Sequence, residues 1–403
     1  MNICIVYMSQ YPWDVRVEKI SRHLTESSHK VHILCRTTRD RPQNENIDGI
    51  KIDRLCLLGN RFHNLNRIID MPFPLNPFWI KKIRRYVREN GIDIIIVRDI
   101  PLAIPAIIAG RARSVPVVLD MAEHYGAMFS DFVKDSPGLK KVPRYLLKNP
   151  IMADITEKVV LKYINHIMVV VEESKWRLEK LGVPAEKISI VSNTPPITKR
   201  PEDKIDLPEG LKLVYIGQLQ HTRGIGTVIE GFRYLLKKRS DINLYIAGSG
   251  EQAEYFKRLA GKSGVTGNVH FLGWIKPDIA YRYINSCDIG IVPPLATKHI
   301  ISTIPNKIFD YMLCGLAVLV SDAAPLKRIV DESRCGWSFE AGNPQAFADR
   351  VLKISESPDI AAFGANGRQA VIDRYNWAVD CRVIDEVIER FAAQKGIDSA
   401  DTI

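Results

Sequence analysis

The 403-residue sequence contains no uninterrupted apolar stretch long enough to cross a bilayer. Its longest apolar stretches, such as residues 92–110, are interrupted by charged residues and prolines, whereas a spanning helix needs about 20 apolar residues. The chain also enters a strand-like run at Ile3 without the basic segment and cleavable apolar stretch of a signal peptide. We therefore expect a cytoplasmic protein that is either soluble or peripheral on the inner face of the cell membrane.

Paired cysteines are also missing. The cysteines are odd in number, form no Cys-x-x-Cys motif and mostly stand in apolar runs, at positions Cys4, Cys35, Cys56, Cys287, Cys314, Cys335 and Cys381. This usage indicates a reducing compartment and argues against a zinc site. No metal ion and no cofactor are expected.

Positive charge is present in excess, and it is unevenly distributed. Residues 1–195 contain 30 Lys and Arg against 21 Asp and Glu, a net charge of +9, whereas residues 196–403 contain 26 against 25, a net charge of +1. A basic first half suits an anionic lipid surface, an acidic ligand or nucleic acid. The same excess also fits the solvated surface of an ordinary cytosolic enzyme.

The order of the apolar runs predicts two α/β domains. Short apolar strands alternate with helical patterns in residues 1–195, and a second such series follows, which is typical of doubly wound parallel sheets. The polar, proline-containing stretch 196–210 indicates a linker. We predict a first domain over 1–195, a second over 211–376 and a final helical segment, 377–403, that packs back on the first domain.

Ligands of doubly wound sheets bind beyond the carboxyl ends of the strands, so the turns that follow strands hold the candidate site residues. If two such sheets face each other, the cleft between them is the expected site. In the first domain these candidates are Asp14, Arg16, Asp99, Asp120, Glu123 and His124. Structural alternatives stay open, because Asp14 and Asp99 can cap helices and a lone histidine near a strand end is more often structural.

In the second domain, the strand 213–216 ends in Gly217 and leads into a basic turn. Glycine lets a ligand approach the backbone closely, and Arg223 can bind phosphate oxygens through two parallel hydrogen bonds. After the next strand, Gly-Ser-Gly at 248–250 fits a dinucleotide fingerprint, but the acid that would bind a ribose is absent from the end of the following strand. A tight turn with a closely packed helix accounts for these glycines equally well.

The segment 302–321 carries the most information. A polar turn ends in Pro305, a helix follows, and a break at Gly315 leads into an apolar strand. A helix that begins at a proline turn presents free N–H groups to an anion, and Lys307 adds a point charge. Asp310, one turn further on the same face, can accept hydrogen bonds from two ribose hydroxyls. This chemistry suits a nucleoside diphosphate.

In their order and spacing, these motifs resemble the retaining glycosyltransferases of family 4, which fold as two facing Rossmann-like domains in the GT-B architecture. The resemblance covers nearly the whole chain and is strongest over 211–321. It implies that backbone groups around Phe271, Leu272 and Gly273 contact the base of a nucleotide and that Asp310 binds its ribose. It also implies that the candidates of the first domain contact the acceptor or the transferred sugar.

The sequence departs from the family pattern at two positions. Gln218 stands where an arginine is common, and Ser302 stands where the family usually has a glutamate that contacts the transferred sugar. Members with a Pro-Asn-Lys turn depart in a similar way. In such a turn Ser302, Thr303, Asn306 and Lys307 can supply the missing contacts.

The resemblance implies a retaining transfer of a hexose or N-acetylhexosamine from a nucleotide diphosphate sugar, with UDP favoured, to a glycan or lipid-linked acceptor of surface polysaccharide synthesis. The sequence has no Asp-x-Asp, the motif that holds a divalent ion on the diphosphate in the other main glycosyltransferase architecture. Arg223 and Lys307 would stabilise the leaving diphosphate instead, while Glu123 and His124 are the strongest ionisable candidates near the sugar.

Two alternatives to a transferase stay open. The departures at Gln218 and Ser302 fit a non-catalytic subunit that binds a sugar nucleotide. The glycine turn at 248–250, taken alone, fits a nicotinamide oxidoreductase. No nucleic-acid partner is expected in any of these cases.

A basic helix in the first domain suggests a membrane surface. On the predicted helix around 79–88, one face holds Lys81, Arg84, Arg85 and Arg88, and the other holds Trp79, Ile83, Tyr86 and Val87. The preceding loop adds the large apolar residues Phe62, Met71, Phe73 and Phe78. We predict that this domain docks on an anionic leaflet and receives a polyprenyl-diphosphate-linked acceptor. The alternative is an ordinary crossover helix with a solvated basic face.

Overall fold

The computed structural model describes residues 1–12, 14–38, 40–55, 63–69, 71, 73–134, 148–198 and 202–400. The chain divides into two compact α/β units. Unit 1 comprises Met1–Asn193 together with the C-terminal residues from Asp380, and unit 2 comprises Thr194–Val379. Both units are built on parallel sheets, and the predicted α/β fold class is confirmed.

Within the described residues, unit 1 contains an eight-stranded sheet in the order β3-β4-β2-β1-β5-β6-β7-β8. The strands are β1 Asn2–Tyr7, β2 Lys30–Arg36, β3 Asn44–Ile47, β4 Ile50–Leu55, β5 Ile94–Arg98, β6 Val117–Met121, β7 His166–Val169 and β8 Ile188–Ile190. All pairs are parallel except β3 and β4, which form a hairpin around Asp48 and Gly49, both with positive φ. Most of these strands are nearly continuous apolar runs because helices cover both faces of the sheet.

Three of the described helices of unit 1 begin at a side chain that caps them. The helices are α1 Val15–Glu26, α2 His63–Ile69, α3 Pro77–Asn90, α4 Ala103–Arg111, α5 Tyr125–Lys134, α6 Pro150–Tyr163 and α7 Glu172–Lys180. The side chains of Asp14, Asn76 and Asn149 accept backbone N–H groups at the starts of α1, α3 and α6. Gly91 ends α3 in the left-handed conformation.

The two faces of α3 are those that the sequence predicts. Its apolar face is buried in the core with α4 and α6, and the residues of that face are Trp79, Ile83, Tyr86 and Val87. Its basic face is exposed, and the residues of that face are Lys81, Arg84, Arg85 and Arg88. Phe62, which the same prediction named, lies outside the described residues.

Unit 2 has a six-stranded parallel sheet in the order β11-β10-β9-β12-β13-β14. The strands are β9 Leu211–Ile216, β10 Ile242–Ala247, β11 Val269–Gly273, β12 Ile289–Val292, β13 Ala317–Ser321 and β14 Gly336–Phe339. The helices are α8 Ile225–Leu235, α9 Ala253–Ser263, α10 Pro277–Ser286, α11 Lys307–Leu313, α12 Ala324–Ser333, α13 Pro344–Ser355 and α14 Ile360–Asp373. A last helix, α15 Trp377–Ala400, starts in unit 2 and continues in unit 1.

Strand order locates one switch point in each unit. The chain builds one side of each sheet first and then crosses to the other side, between β1 and β5 in unit 1 and between β9 and β12 in unit 2. Crevices at the carboxyl ends of such strands are the ligand sites of doubly wound sheets. The candidate residues therefore follow the strands that the topology singles out.

Candidate active site

The candidate residues of unit 1 meet at the carboxyl ends of β1, β5 and β6. Arg16, in the first turn of α1, is 2% exposed and donates to both carboxylate oxygens of Asp120 over 2.6–3.0 Å. Asp14 caps the same helix by accepting from the backbone N–H groups of Arg16 and Val17 at 2.9 Å. The start of the helix and the end of β6 are therefore locked together by a two-pronged ion pair.

A second arginine, Arg98 at the end of β5, joins this arrangement. Its guanidinium pairs with Asp99 at 2.9 Å and lies 3.6 Å from Asp120 and 3.9 Å from Asp14. Two guanidinium groups and three carboxyl groups thus share one largely buried cluster. We call it the unit 1 charge cluster, and its members are Asp14, Arg16, Arg98, Asp99 and Asp120.

Within this cluster, two carboxyl groups have opposite pKa shifts. Burial would raise the pKa of Asp120, but the guanidinium groups of Arg16 and Arg98 hold it below its usual value. Burial raises the pKa of Asp99 to about 7, against the opposing charge of Arg98. Asp99 also has φ 65° and ψ 171°, a strained conformation for any residue but glycine. Asp99 can therefore hold or release a proton near neutral pH.

Glu123 and His124 lie just beyond β6 in different surroundings. Glu123 is partly buried, and its charge contributes to the raised pKa of Asp99. The Nε2 atom of His124 lies 3.6 Å from Asp154 Oδ1 on α6, and burial together with the nearby Arg177 lowers the His124 pKa. The structure thus brings Glu123 close to the unit 1 charge cluster and places His124 against α6.

In unit 2, the turn after β9 meets the first residue of α11. Gly217 has φ 147°, and a Cβ at this position would lie 2.5 Å from the Lys307 Nζ. The ammonium group lies over the Tyr215 ring, 3.6 Å from its centroid. Burial and the charge of Arg223 lower the Lys307 pKa well below its ordinary value. In the part of the chain that the structure describes, neither Lys307 nor Arg223 forms an ion pair with a carboxylate.

The glycine turn after β10 serves backbone packing. A Cβ on Gly248 would collide with the Gly217 carbonyl oxygen, and Gly248 N donates to the Gly273 carbonyl oxygen at 2.7 Å. A Cβ on Gly250 would also lie too close to the backbone, 2.4 Å from the Leu219 carbonyl oxygen. The ends of β9, β10 and β11 are therefore joined backbone to backbone, which accounts for these glycines without a dinucleotide.

Four further candidates lie in the loop before α11 and in the helix itself. Ser302 is 3% exposed, and its hydroxyl donates to a carbonyl oxygen of its own loop at 2.8 Å. Thr303 and Asn306 keep accessible surface at the start of α11. Asp310 Oδ1 accepts from the Tyr281 hydroxyl of α10 at 3.3 Å. Asp310 and the Lys307 ammonium thus belong to the same short helix, at the carboxyl edge of the sheet.

The end of β11 exposes an aromatic side chain next to the residues that the sequence singled out. Phe271 and Leu272 are partly buried, and Gly273 turns the chain with φ 68°. Trp274 follows and is 69% exposed, more than any other large apolar side chain among the described residues. Exposed Gln218 stands in the turn after β9. A flat apolar ring at this edge is a surface on which a nucleobase can stack.

Neither a membrane-spanning helix nor a metal site occurs among the described residues. No helix there is both long enough and apolar enough to span a bilayer. Nor does any group of three or more His, Cys, Asp or Glu side chains have an arrangement that could hold a metal ion. The acidic side chains of the unit 1 charge cluster are paired with arginines instead.

Solved structures share this fold over nearly the whole chain. Sucrose-phosphate synthase from Thermosynechococcus elongatus superposes with a TM-score of 0.74 at 14% identity, covering 98% of this chain and 100% of that one. HepE of Anabaena, solved in complex with UDP, superposes with a TM-score of 0.68 at 14% identity, covering 97% and 100%. These likenesses show the fold, which is the GT-B architecture.

Several relatives are similar in sequence. The amylovoran biosynthesis glycosyltransferase AmsK of Erwinia amylovora is 25% identical over 219 residues, which are 54% of each chain. An uncharacterized glycosyltransferase of Haemophilus influenzae is 22% identical over 303 residues, 74% of this chain and 77% of its own. A lipopolysaccharide 1,2-N-acetylglucosaminetransferase of Salmonella typhimurium is 22% identical over 228 residues, 53% and 57%. The chain thus spans about half the length of AmsK.

Two family models match successive parts of the chain. The model described as Glycosyltransferase Family 4 matches residues 14–194, and the model described as Glycosyl transferases group 1 matches residues 210–357. Both families, the named relatives and the GT-B fold define one class of protein, the glycosyltransferases. Within that class the chain belongs to the family 4 type.

Some side chains that shape the site carried little signal in the sequence. Arg98 is the last residue of β5, and its contacts with three carboxylates depend on which strands are neighbours. Tyr215 looks like an ordinary strand residue, and only the structure shows that Lys307 lies on its ring. Trp274 stands in a turn beside the expected base site, and its exposure is the feature that sets it apart.

Proposed function

We propose that the protein is a retaining, metal-independent glycosyltransferase. It moves a hexose or N-acetylhexosamine from a nucleotide diphosphate sugar, with UDP favoured, to a glycan or lipid-linked acceptor in surface polysaccharide synthesis. The observation that carries the proposal is the pair of cations at the end of β9, Lys307 and Arg223, neither of which has a described carboxylate partner. Fixed positive charges at a switch point suit a diphosphate that gains negative charge as the sugar departs.

The donor lies along the carboxyl edge of unit 2 in this proposal. The base stacks near Trp274, the ribose hydroxyls donate to Asp310, and the diphosphate contacts Lys307 and Arg223. The complex of HepE with UDP supports the choice of nucleotide. The carbohydrate products in the names of AmsK and the Salmonella enzyme support a glycan acceptor.

The unit 1 charge cluster and Glu123 serve the acceptor in this proposal. The bond between the anomeric carbon and the diphosphate oxygen breaks, and a bond from the acceptor hydroxyl oxygen forms on the same face of the sugar. The leaving phosphate takes the hydroxyl proton, so no protein nucleophile is required. His124 contacts Asp154 of α6, and in this scheme it lies near the acceptor without taking part in the proton transfer.

The test combines a ligand screen with two alanine variants. A thermal-shift screen of UDP, GDP, ADP and their sugars identifies the donor, since a ligand at 100 times its Kd adds about 2.7 kcal/mol of stability. Lys307→Ala and Arg223→Ala should each lower turnover of that donor about 100- to 1,000-fold. Lys276→Ala, an exposed lysine in the turn after β11, is the matched control and should leave turnover unchanged. Unchanged turnover in the first two variants would show that these charges do not serve the reaction.

A second function is favoured by the environment of Ser302. Its hydroxyl is buried and donates within its own loop, where the family usually places a glutamate at the transferred sugar. A subunit that binds sugar nucleotides without turnover fits this loss. The pure protein would then bind the donor in the thermal-shift screen and neither transfer nor hydrolyse it across a panel of acceptors.

We also propose that the α3 surface of unit 1 binds the membrane that carries the acceptor. We define this surface by its exposed basic side chains, Lys81, Arg84, Arg85 and Arg88, and by the exposed apolar side chains before them, Met71, Phe73, Leu75 and Phe78. The apolar side chains are 43–62% exposed. Each basic residue near an anionic leaflet contributes about 1 kcal/mol. This combination supports peripheral binding and a polyprenyl-diphosphate-linked acceptor.

Co-sedimentation with anionic vesicles tests the membrane proposal. At low salt the wild-type protein should pellet with phosphatidylglycerol vesicles, and reversal of the four basic charges of the α3 surface should abolish this binding. The matched control reverses four exposed charges of unit 2, Arg233, Lys237, Lys257 and Lys262. Equal binding by both variants would remove the membrane from the proposal and leave a soluble acceptor.

A further inference from the structure

Lys307 lies on an aromatic ring where a carboxylate would be the usual partner. Its ammonium nitrogen is 3.6 Å from the centroid of the Tyr215 ring. The electron-rich face of an aromatic ring attracts a cation, and the attraction grows when both groups are out of water. A carboxylate would neutralise the lysine, whereas a ring holds it in place and leaves its charge available to an incoming anion.

Tyr215 is itself fixed at the end of β9. Its side chain is fully buried, and its hydroxyl donates to the Gln218 carbonyl oxygen at 2.8 Å. One helical turn beyond Lys307, the Tyr311 hydroxyl accepts from Ile216 N at 2.9 Å. The first hydrogen bond fixes the ring at the end of β9, and the second joins α11 to the same strand, so the ring is held in place beneath the lysine.

Opposing influences act on the lysine proton at this place. Burial and the neighbouring Arg223 lower the Lys307 pKa, which favours a neutral amine with little affinity for phosphate. The Tyr215 ring attracts the charged form and so acts in the other direction. Removal of the ring would free the side chain and also favour loss of its proton.

We propose that Tyr215 is a positioning residue that holds the Lys307 ammonium at the end of β9, in the orientation that receives the diphosphate of the donor. This inference rests on the proposed function, in which Lys307 contacts that diphosphate. Tyr215 does not touch the substrate and acts through the lysine alone.

The test compares Tyr215→Phe, which keeps the ring, with Tyr215→Leu, which removes it, by titration calorimetry with UDP and with uridine. The Phe variant should bind UDP within about threefold of the wild type, and the Leu variant should bind it about tenfold more weakly. Uridine, which has no phosphate, should bind all three proteins equally. As the pH rises, the UDP affinity of the Leu variant should decline at a lower pH than that of the wild type.

Tyr245→Leu is the matched control, because Tyr245 is a buried tyrosine of the adjacent strand β10 and packs against His270 instead of a lysine. It should bind UDP like the wild type. If Tyr215→Leu does not fold, Tyr215→Met offers a second side chain without a ring.

Four results would overturn the inference. Wild-type affinity for UDP in Tyr215→Leu would do so and leave the proposed function intact. The same loss for uridine as for UDP, or the same loss in Tyr245→Leu, would show a general structural effect. A wild-type protein that binds no nucleotide would remove the proposed function itself, and the inference with it.

Discussion

Both units place basic side chains at the carboxyl ends of their central strands, but they surround them differently. In unit 1, Arg16 and Arg98 are buried among carboxylates, and Arg16 grips Asp120 with two nitrogen atoms. In unit 2, Lys307 lies on a tyrosine ring, and neither it nor Arg223 is paired with a described carboxylate.

The difference separates charges that fix a shape from charges that are kept for a ligand. A buried ion pair whose partners satisfy one another sets the relative position of two elements, and the loss of one partner leaves an uncompensated charge. A cation without a carboxylate partner keeps most of its electrostatic capacity for an anion that arrives later. The paired charges of unit 1 therefore fix the positions of its elements, whereas the cations of unit 2 are available to bind an anion.

The strongest test of this comparison removes a carboxylate from unit 1. Asp120→Ala leaves Arg16 buried without its main partner, so we expect the free energy of unfolding to fall by about 3–5 kcal/mol. Asp331→Ala, which breaks the exposed pair with Lys327, should cost less than about 1 kcal/mol. Urea denaturation of both variants measures the two changes. A loss in Asp120→Ala as small as that in Asp331→Ala would show that the buried cluster does not fix the shape of unit 1.

The second prediction uses the proton of Asp99. Its pKa is raised to about 7 in the folded protein, against about 3.9 in an unfolded chain. Between these values the folded state binds more protons than the unfolded state, so stability must fall as the pH rises from about 4 to about 7 and then level off. From pH 5 to pH 7 the loss should be about 2 kcal/mol relative to Asp99→Asn, which has no proton to lose.

Urea denaturation of the wild type and of Asp99→Asn at pH 5, 6, 7 and 8 measures this difference. We expect Asp99→Asn to remove the fall of the free energy of unfolding between pH 5 and pH 7. Asp120, whose pKa is lowered, should stay charged throughout this range and add no slope of its own. Parallel curves for the two proteins would mean that Asp99 is ionised across the whole range.

The smallest expected effect is the difference in UDP affinity between variants of two exposed tryptophans. Trp274, at the end of β11 in unit 2, is 69% exposed, and Trp176, on α7 in unit 1, is 48% exposed. If Trp274 stacks on the base, Trp274→Ala should weaken UDP binding about tenfold, since such stacking contributes about 1–3 kcal/mol. Trp176→Ala should leave the affinity unchanged. Quenching of tryptophan fluorescence by UDP should likewise disappear only in Trp274→Ala, and quenching that persists there would place the base elsewhere.

The strands could be predicted from sequence because burial on both faces leaves a simple signal. The strand Ile94–Arg98 is apolar over residues 94–97, and such a run between polar turns is typical of a strand inside a parallel sheet. The edge strand β3 has the sequence Asn-Glu-Asn-Ile and no such signal, since an edge hairpin needs no buried face. The helix Ile360–Asp373 has a weak signal in the sequence because Gly364 and Gly367 lower its helix propensity. The structure shows that both pack closely, Gly364 against the backbone at Gly315 and Gly367 against Met312 and Cys335.

The sequence predicts which positions belong to the candidate site, but it does not predict which of their side chains contact each other. The rule that ligands lie beyond strand ends singled out Asp14, Asp99 and Gly217, and the helix start after Pro305 singled out Lys307. Neither signal says which charge meets which, because that depends on strand order and on side-chain direction. Glu123 and His124 are adjacent in sequence, yet one acts on Asp99 and the other lies against Asp154.

The helix α15 has a consequence for how the chain is made. From Asp380 onward it belongs to unit 1, where Ser192 N donates to Asp380, His23 lies 2.8 Å from Asp385, and Arg390 donates to the carbonyl oxygen of Glu186. These partners are separated by 188, 362 and 204 residues in sequence. The ribosome therefore synthesises all of unit 2 before it synthesises the residues from Asp380 onward that belong to unit 1. During synthesis the second unit to begin is the first that can be complete, and unit 1 lacks the buried side chains of α15, such as Ile384 and Val387, until the end.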